Sequence, residues 1–285
     1  MSGPPQAEPE LGERIGPYRL EAVLGEGGMG VIYRAARDPG GELVALKVLR
    51  RELSGDDTYR RRFERECRIA AGISHKHLVR VIDSGETDGR PYLASEYIAG
   101  RTLADLVADE GQLSVPVVMR LAAELATGLD TLHGEGLVHR DVKPANVIVA
   151  TSGATYLTDF GVARSAAATV LTKPGHVVGT LDYLAPEVIR GSTAGPAADI
   201  YSLGCVVYEC LVGSPPHSGH GFVETTLAIL EADPANPRAV RPELPAELCS
   251  VVLQALAKQP SARPPTATAY ALMLRISARA TQLTA

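Results

Sequence analysis

The densest chemical grouping in this 285-residue chain is polar and closely spaced. Asp141 and Asn146 stand five positions apart with Lys143 between them, and Asp159 follows Asp141 by eighteen. Such a set suits phosphoryl transfer. One carboxylate orients a hydroxyl, a lysine meets the moving negative charge, and Asn plus the other Asp hold Mg²⁺ through oxygen. The surrounding run His139-Arg140-Asp141-Val142-Lys143-Pro144-Ala145-Asn146 fixes six of these residue types. At one in twenty per position, that combination arises by chance in fewer than about one chain in 10⁴.

A second feature is Gly25-Glu26-Gly27-Gly28-Met29-Gly30, a G-x-G-x-x-G. Its glycines let a backbone approach a polyphosphate and aim N–H groups at the oxygens. With 28 glycines in the chain the pattern alone is weak. A dinucleotide-binding turn would open a helix at the third glycine. Here Val31-Ile32-Tyr33 follows, β-branched and strand-like, so the loop reads as a lid joining two strands. Lys47 lies in Val44-Ala45-Leu46-Lys47-Val48-Leu49, where period two puts Val44, Leu46 and Val48 on one face and Ala45, Lys47 and Leu49 on the other. A lysine in so apolar a strand calls for a carboxylate partner. Glu66 is the better placed of two candidates, because it borders the apolar stripe Phe63, Cys67, Ala70 and Ile73, whereas Glu64 sits farther round among the arginines.

These residues need elements to hold them. Strand-like runs begin at Tyr18, Val31 and Glu42, separated by glycine-rich or Asp-Pro-Gly-Gly turns, and a basic helix is expected over 56–73. Two further strands are expected over 77–84 and 91–97, then a helix over 115–133 with Leu121, Leu125, Leu129 and Leu132 along one stripe. Short strands at 146–149 and 155–158 precede a loop rich in Ser, Thr and Gly, and helices punctuated by proline run from Pro196. The Pro/Glu/Gly-rich residues 1–12 are expected to be unstructured. Composition, 45% hydrophobic and 21% charged, is that of a globular protein. The net charge of −5 argues against a nucleic-acid partner bound by charge. No run approaches the ~18 apolar residues of a membrane span, and the most apolar stretch, 203–212, carries Glu209. The first twelve residues lack the basic and apolar regions of a secretion signal, so a cytoplasmic location is expected. Cys67, Cys205, Cys210 and Cys249 show no metal or redox spacing and read as buried free thiols. The His pairs 75/77 and 217/220 lack nearby ligands in sequence for a metal.

Taken in order, these motifs resemble the catalytic domain of a eukaryotic-like Ser/Thr protein kinase of the bacterial, actinobacterial-type branch. The likeness runs over about residues 15–275 through the glycine lid, Val44-Ala45-Leu46-Lys47, Glu66, the His139–Asn146 run, Asp159-Phe160-Gly161, Ala185-Pro186-Glu187, Asp199 and Arg263. It implies an α+β, bilobal protein-kinase fold: an N-terminal antiparallel β-sheet lobe with one main helix, a mainly helical C-terminal lobe, and an ATP cleft between them. The lobes would be residues 13–97 and 98–280, together one kinase domain over 13–280.

The resemblance also implies roles. Asp141, Lys143 and Lys47 would be catalytic: Asp141 accepts the substrate hydroxyl's proton, Lys143 neutralises the γ-phosphoryl group, and Lys47, paired with Glu66, grips the α and β phosphates of ATP. Leu24, Gly25, Gly27 and Gly30 would cover the nucleotide, Val31 and Ala45 would roof the adenine, Ile148 would floor it, and the backbone of Glu96 and Ile98 would bind its edge. Asn146 and Asp159 would hold Mg²⁺, for which Mn²⁺ can substitute. Ser95 falls at the gatekeeper position. Glu187 and Arg263 would form a buried ion pair, and Asp199 would brace the catalytic loop. Lys143 with Gly179-Thr180 is the Ser/Thr version of the pattern.

Arg140 beside Asp141 marks relatives switched on by phosphate in the activation loop. That loop offers Ser165, Thr169 and Thr172, of which Thr169 and Thr172 are the expected autophosphorylation sites. Protein substrates with Ser/Thr acceptors are the implied partners, with a weak homodimer through the N-lobe. The arginines at 60, 61, 62, 65 and 68 read as a solvated face or as a docking surface for an acidic partner. Two other classes compete. A pseudokinase would be expected to lose Lys47, Asp141, Asn146 or Asp159, all present here. A small-molecule phosphotransferase would lack the lid and the Ala185-Pro186-Glu187 segment. The chain is either a whole soluble kinase or the catalytic part of a longer, membrane-anchored one.

Overall fold

The turn at Asp38-Pro39-Gly40-Gly41 reverses the chain sharply between two paired strands: Gly40 and Gly41 take φ of 131° and 69°, and the Gly41 N–H closes on the Arg37 carbonyl at 2.9 Å. The computed structural model describes residues 9–27, 30–50, 57–159, 181–218 and 221–280. It divides into two compact units, one of residues up to 74 with 79–98, the other of 75–78 with residues from 99 onward.

In the first unit, β1 (Arg14–Ile15), β2 (Tyr18–Gly27), β3 (Gly30–Arg37), β4 (Glu42–Leu49), β5 (Val81–Thr87) and β6 (Arg90–Glu96) form an antiparallel sheet in the order β1-β2-β3-β4-β6-β5. Alternation sorts the side chains as expected. Val31, Tyr33, Val44, Leu46, Val48 and Ala94 turn inward to a core completed by Ile15, Tyr18, Leu20 and Tyr92. The sheet curls until its two sides meet. Tyr18 Oη on β2 donates to Asp83 Oδ2 on β5 at 3.1 Å, and the Tyr92 ring sets its edge against Tyr18 with centroids 5.8 Å apart. A Cβ on Gly16 or Gly85 would fall 2.7 or 2.5 Å from the Tyr92 hydroxyl, so both positions exclude a side chain. Burial, then the Asp83 carboxylate, pushes the Tyr18 phenol well up. Helix α1 (Asp57–Ala71) buries Phe63, Cys67 and Ala70 and packs on β5.

Two expectations change here. Pro9–Gly12 are ordered rather than a free tail: Tyr33 Oη donates to the Pro9 carbonyl at 3.0 Å, and Gly12 N–H to Leu20 O at 2.9 Å. The strand expected over 77–84 begins only at Val81. Its first residues belong to the other unit, where the Leu157 N–H donates to His77 O at 2.9 Å and Leu78 bridges Leu157.

The second unit is mainly helical. A small sheet of β7 (Gly100–Thr102), β8 (Val147–Ala150) and β9 (Thr155–Leu157) lies beside α2 (Leu103–Glu110) and α3 (Val115–Gly134). The α3 stripe Leu121, Leu125, Leu129 and Leu132 is buried as its spacing predicts. After the short α4 (Pro186–Ile189), α5 (Pro196–Val212) is covered almost all round, which explains the apolar run at 203–212. Its Glu209 accepts a 2.6 Å bond from Tyr183 Oη, and burial raises that carboxyl's pKa. Gly204 lets the end of α7 (Ala246–Ala255) approach, since a Cβ there would sit 2.9 Å from Ala255 Cβ. Helices α6 (Phe222–Glu231) and α8 (Ala267–Ala280) complete the unit. This is the α+β division the resemblance implied, and all four cysteines are buried free thiols.

Arg263 ties the unit together. Nη1 and Nη2 make a two-pronged 2.7 Å pair with the Glu187 carboxylate, further donors reach the carbonyls of Ala257, Ala197 and Lys258, and the guanidinium lies 5.0 Å over the Tyr201 ring. Truncating one partner leaves the other charge buried and unpaired. Arg263→Met is therefore expected to lower stability by about 3–5 kcal/mol, read as the shift in a urea unfolding curve; an unshifted curve would show that the pair is dispensable.

Candidate active site

Asp199 stands in the first turn of α5, 1% exposed, where the helix N-terminus favours a negative charge. Its carboxylate accepts the His139 N–H on Oδ2 and the Arg140 N–H on Oδ1, both at 2.8 Å, and His133 Nε2 lies 2.7 Å from Oδ2. Arg140 has φ of 65°, a left-handed conformation unfavourable for a residue with a Cβ. The two backbone bonds to Asp199 hold it there. This is the bracing role expected for Asp199.

The loop then turns back on itself. His139 is fully buried; its Nδ1 accepts the Asp141 N–H at 3.2 Å and its Nε2 lies 3.0 Å from the Thr158 carbonyl. One ring nitrogen accepting and the other donating requires the neutral imidazole. Burial pulls its pKa below the ordinary value, against the opposing pull of the Asp199 and Asp141 carboxylates. Asp141 follows, its Oδ2 3.0 Å from Lys143 Nζ and 2.9 Å from Asn146 Nδ2. Asn146 Nδ2 also donates to the Asp141 carbonyl at 2.8 Å, which turns the amide oxygen the other way. Pro144–Asn146 make the single 3-10 turn that brings Asn146 round to Asp141. The Thr158 N–H donates to the Asn146 carbonyl at 3.0 Å, so Asp159 (φ 61°) comes one residue beyond this contact. Asp141, Lys143, Asn146 and Asp159 are thus collected within the second unit. The amide and carboxylate oxygens of Asn146 and Asp159 are the hard donors that Mg²⁺ takes. Ile148, on β8 beyond Val147, is half-buried between Thr102 and Tyr156.

In the first unit one outer row of the sheet carries Ile32, Lys47 and Leu93 side by side, and the next carries Arg34, Ala45 and Ser95. Ser95 Oγ donates to the Ala45 carbonyl at 3.3 Å. Lys47, Ala45 and Ser95 therefore share a face. Val31 does not: it is 3% exposed and packs in the inner core opposite Val48. The residue on the Lys47 face is Ile32, and the buried Val31 is not placed for the adenine contact expected of it. Alternation from Tyr33, an inward residue, would have found this. The Glu96 N–H donates to Arg80 O at 2.9 Å, and Ile98 is half-buried two residues on.

The glycines of the lid differ in why they are needed. A Cβ on Gly30 would lie 2.1 Å from the Val48 carbonyl, so the sheet itself excludes one. Gly25 and Gly27 would meet nothing within 4 Å, and Leu24 beside them is 46% exposed. Whatever demands glycine at these two positions is outside the packing of the sheet, which fits a ligand drawn close to the backbone. The Glu66 side chain, Gly28, Met29, Phe160, Gly161, Ser165, Thr169, Thr172 and Thr180 lie outside the described residues.

Comparison with known proteins agrees with this arrangement. A family model described as the protein kinase domain matches residues 18–273. The serine/threonine-protein kinase PknE of Mycobacterium tuberculosis is 40% identical over 257 residues, covering 90% of this chain and 45% of that protein. PknH of the same organism is 36% identical over 253 residues, covering 89% and 40%. The chain thus spans less than half the length of these curated relatives. The crystal structure of the M. tuberculosis PknI kinase domain superposes with a TM-score of 0.76 at 31% identity, covering 95% of this chain and 100% of that one. From its motif order, its braced loop and this agreement over nearly its whole length, the chain belongs to the protein kinase domain family.

Proposed function

We propose that this chain is a Ser/Thr protein kinase domain of bacterial signalling, acting over residues 13–280 and transferring the γ-phosphoryl group of ATP to protein hydroxyls. The observation that carries this reading is the Asp141 carboxylate held by Lys143 and Asn146 on a loop braced by Asp199. Asp141 receives the acceptor hydroxyl's proton. Lys143, 3.0 Å from that carboxylate, offsets charge on the transferred group. Asn146 and Asp159 hold Mg²⁺, which when bound neutralises the phosphate oxygens. Lys47, paired with Glu66, holds the α and β phosphates, and Leu24, Gly25, Gly27 and Gly30 cover them. Ile32 and Ala45 contact the adenine, whose edge meets the backbone of Glu96 and Ile98.

The acceptors are Ser and Thr of other proteins and, in the chain itself, Thr169 and Thr172, whose phosphates pair with Arg140. The domain works in the cytoplasm and associates weakly with a second copy through its sheet-bearing unit. The names of PknE and PknH support the Ser/Thr class. Among the described residues, no helix is long and apolar enough to cross a membrane.

Intact-mass spectrometry with Mg²⁺ and ATP tests the reading. The native chain should gain whole phosphate units, mapped to Thr169 and Thr172, and phosphorylate a generic protein. Asp141→Asn should lose about 10²–10⁴-fold in rate. A native chain that modifies neither itself nor the generic protein would favour a pseudokinase, and an active enzyme with both threonines empty would remove them as sites. At the gatekeeper position, an ATP-site inhibitor with a bulky substituent should bind the native chain better than Ser95→Met; equal inhibition constants sink that assignment.

The neutral His139 makes a pH prediction. Its pKa is lowered in the fold, so its contribution to stability is present above the unfolded value of about 6.5 and is lost as pH falls through the lower folded value. The His139 ring signal in NMR should not titrate between pH 8 and about 6.5; a midpoint at or above that value would contradict the neutral bridge.

A further inference from the structure

The polar groups that hold the catalytic loop continue past it. Asp130, near the end of α3, reaches the first turn of α8, where Oδ1 accepts the Ala267 N–H at 2.9 Å and Oδ2 accepts the Thr268 N–H at 2.9 Å and its hydroxyl at 2.5 Å. The helix has a cap of its own, since Thr266 Oγ1 accepts the Ala269 N–H at 3.0 Å. Asp130 is therefore not needed to start α8; it fixes where that first turn sits. One turn along α3, His133 places Nδ1 3.9 Å from Asp130 Oδ1 and Nε2 2.7 Å from Asp199 Oδ2. The carboxylate can only accept, so Nε2 carries the hydrogen and donates to it. The imidazole is 10% exposed and stands between two aspartates.

Oδ1 of Asp199 holds the Arg140 N–H, whereas Oδ2 is shared by the His139 N–H and His133. The His133 bond thus fixes the carboxylate's rotation and keeps Oδ1 on Arg140, the residue in the left-handed conformation. We propose that His133 is a positioning residue for phosphoryl transfer, and that Asp130, His133 and Asp199 couple the seating of α8 to the backbone of the catalytic loop. The catalytic half of this inference rests on the kinase reading; the coupling itself does not.

Two readouts separate them. Amide hydrogen exchange by NMR in the full chain should show His139 and Arg140 N–H protected, and about tenfold faster in His133→Phe and Asp130→Asn. Unchanged exchange overturns the coupling whether or not the chain is active. In steady-state kinetics, His133→Phe should lower kcat about tenfold at unchanged KM for ATP, and His133→Gln, which restores a donor toward Asp199, should recover most of it. Asp130→Asn should lower kcat about threefold alone and no further in the His133→Phe background. Native kcat in His133→Phe, a loss that Gln does not rescue, or losses that add independently would overturn the positioning role. An inactive native chain with the expected exchange pattern would instead count against the kinase reading and leave the coupling standing.

Discussion

A carboxylate buried at the start of an interior helix must be satisfied completely, and Asp199 meets that demand with the backbone of the catalytic loop. The helix N-terminus, two backbone N–H groups and the His133 ring together make the charge tolerable. The same bonds stabilise a left-handed Arg140 that the chain would otherwise avoid. From that fixed point the loop is built by short contacts: His139 to Asp141 and Thr158, Asn146 to Asp141, Thr158 to Asn146. Each removes one freedom from the groups around Asp141, and so fixes their geometry before any ligand arrives.

Around this centre the second unit is tied together for a related reason. Interior helix α5 carries Asp199 at one end, and the Arg263–Glu187 pair, with every guanidinium nitrogen engaged, holds the segments flanking it. A misplaced α5 would break a buried charge as well as apolar packing. In the first unit order comes instead from closure of the curled sheet through Tyr18, Tyr92 and Asp83. That closure commits one face to the core and leaves Lys47, Ala45 and Ile32 together on the other.

Much of this was legible in the residues. The His139–Asn146 run announces itself because its functional groups lie within one turn and a short loop, so spacing alone constrains their geometry. Strand alternation puts Val44, Leu46 and Val48 on one face and Lys47 on the other, and the structure turns the first three into the core. Val31 lies inward instead of at the adenine position that the resemblance implied, since β3 alternates from the inward Tyr33 two residues on. Segment 77–78 stays out of β5 because Leu78 bridges Leu157 within the second unit, a pairing no local pattern encodes.

By itself, then, the sequence determined which groups can carry phosphoryl chemistry, their order, the two kinds of unit, and how the residues of β4 divide between its two faces, since these follow from residue type and local period. Only the tertiary structure decided that His139 is neutral, that Gly30 is demanded by the Val48 carbonyl while Gly25 and Gly27 are not, and that Asp130 reaches α8 and His133 reaches Asp199. Those partners are separated by 66 to 137 positions in the Asp199–His133 and Ala267–Asp130 contacts. Hydrogen bonds over such distances depend on where whole helices pack, and packing is set by the summed burial of many side chains rather than by any motif.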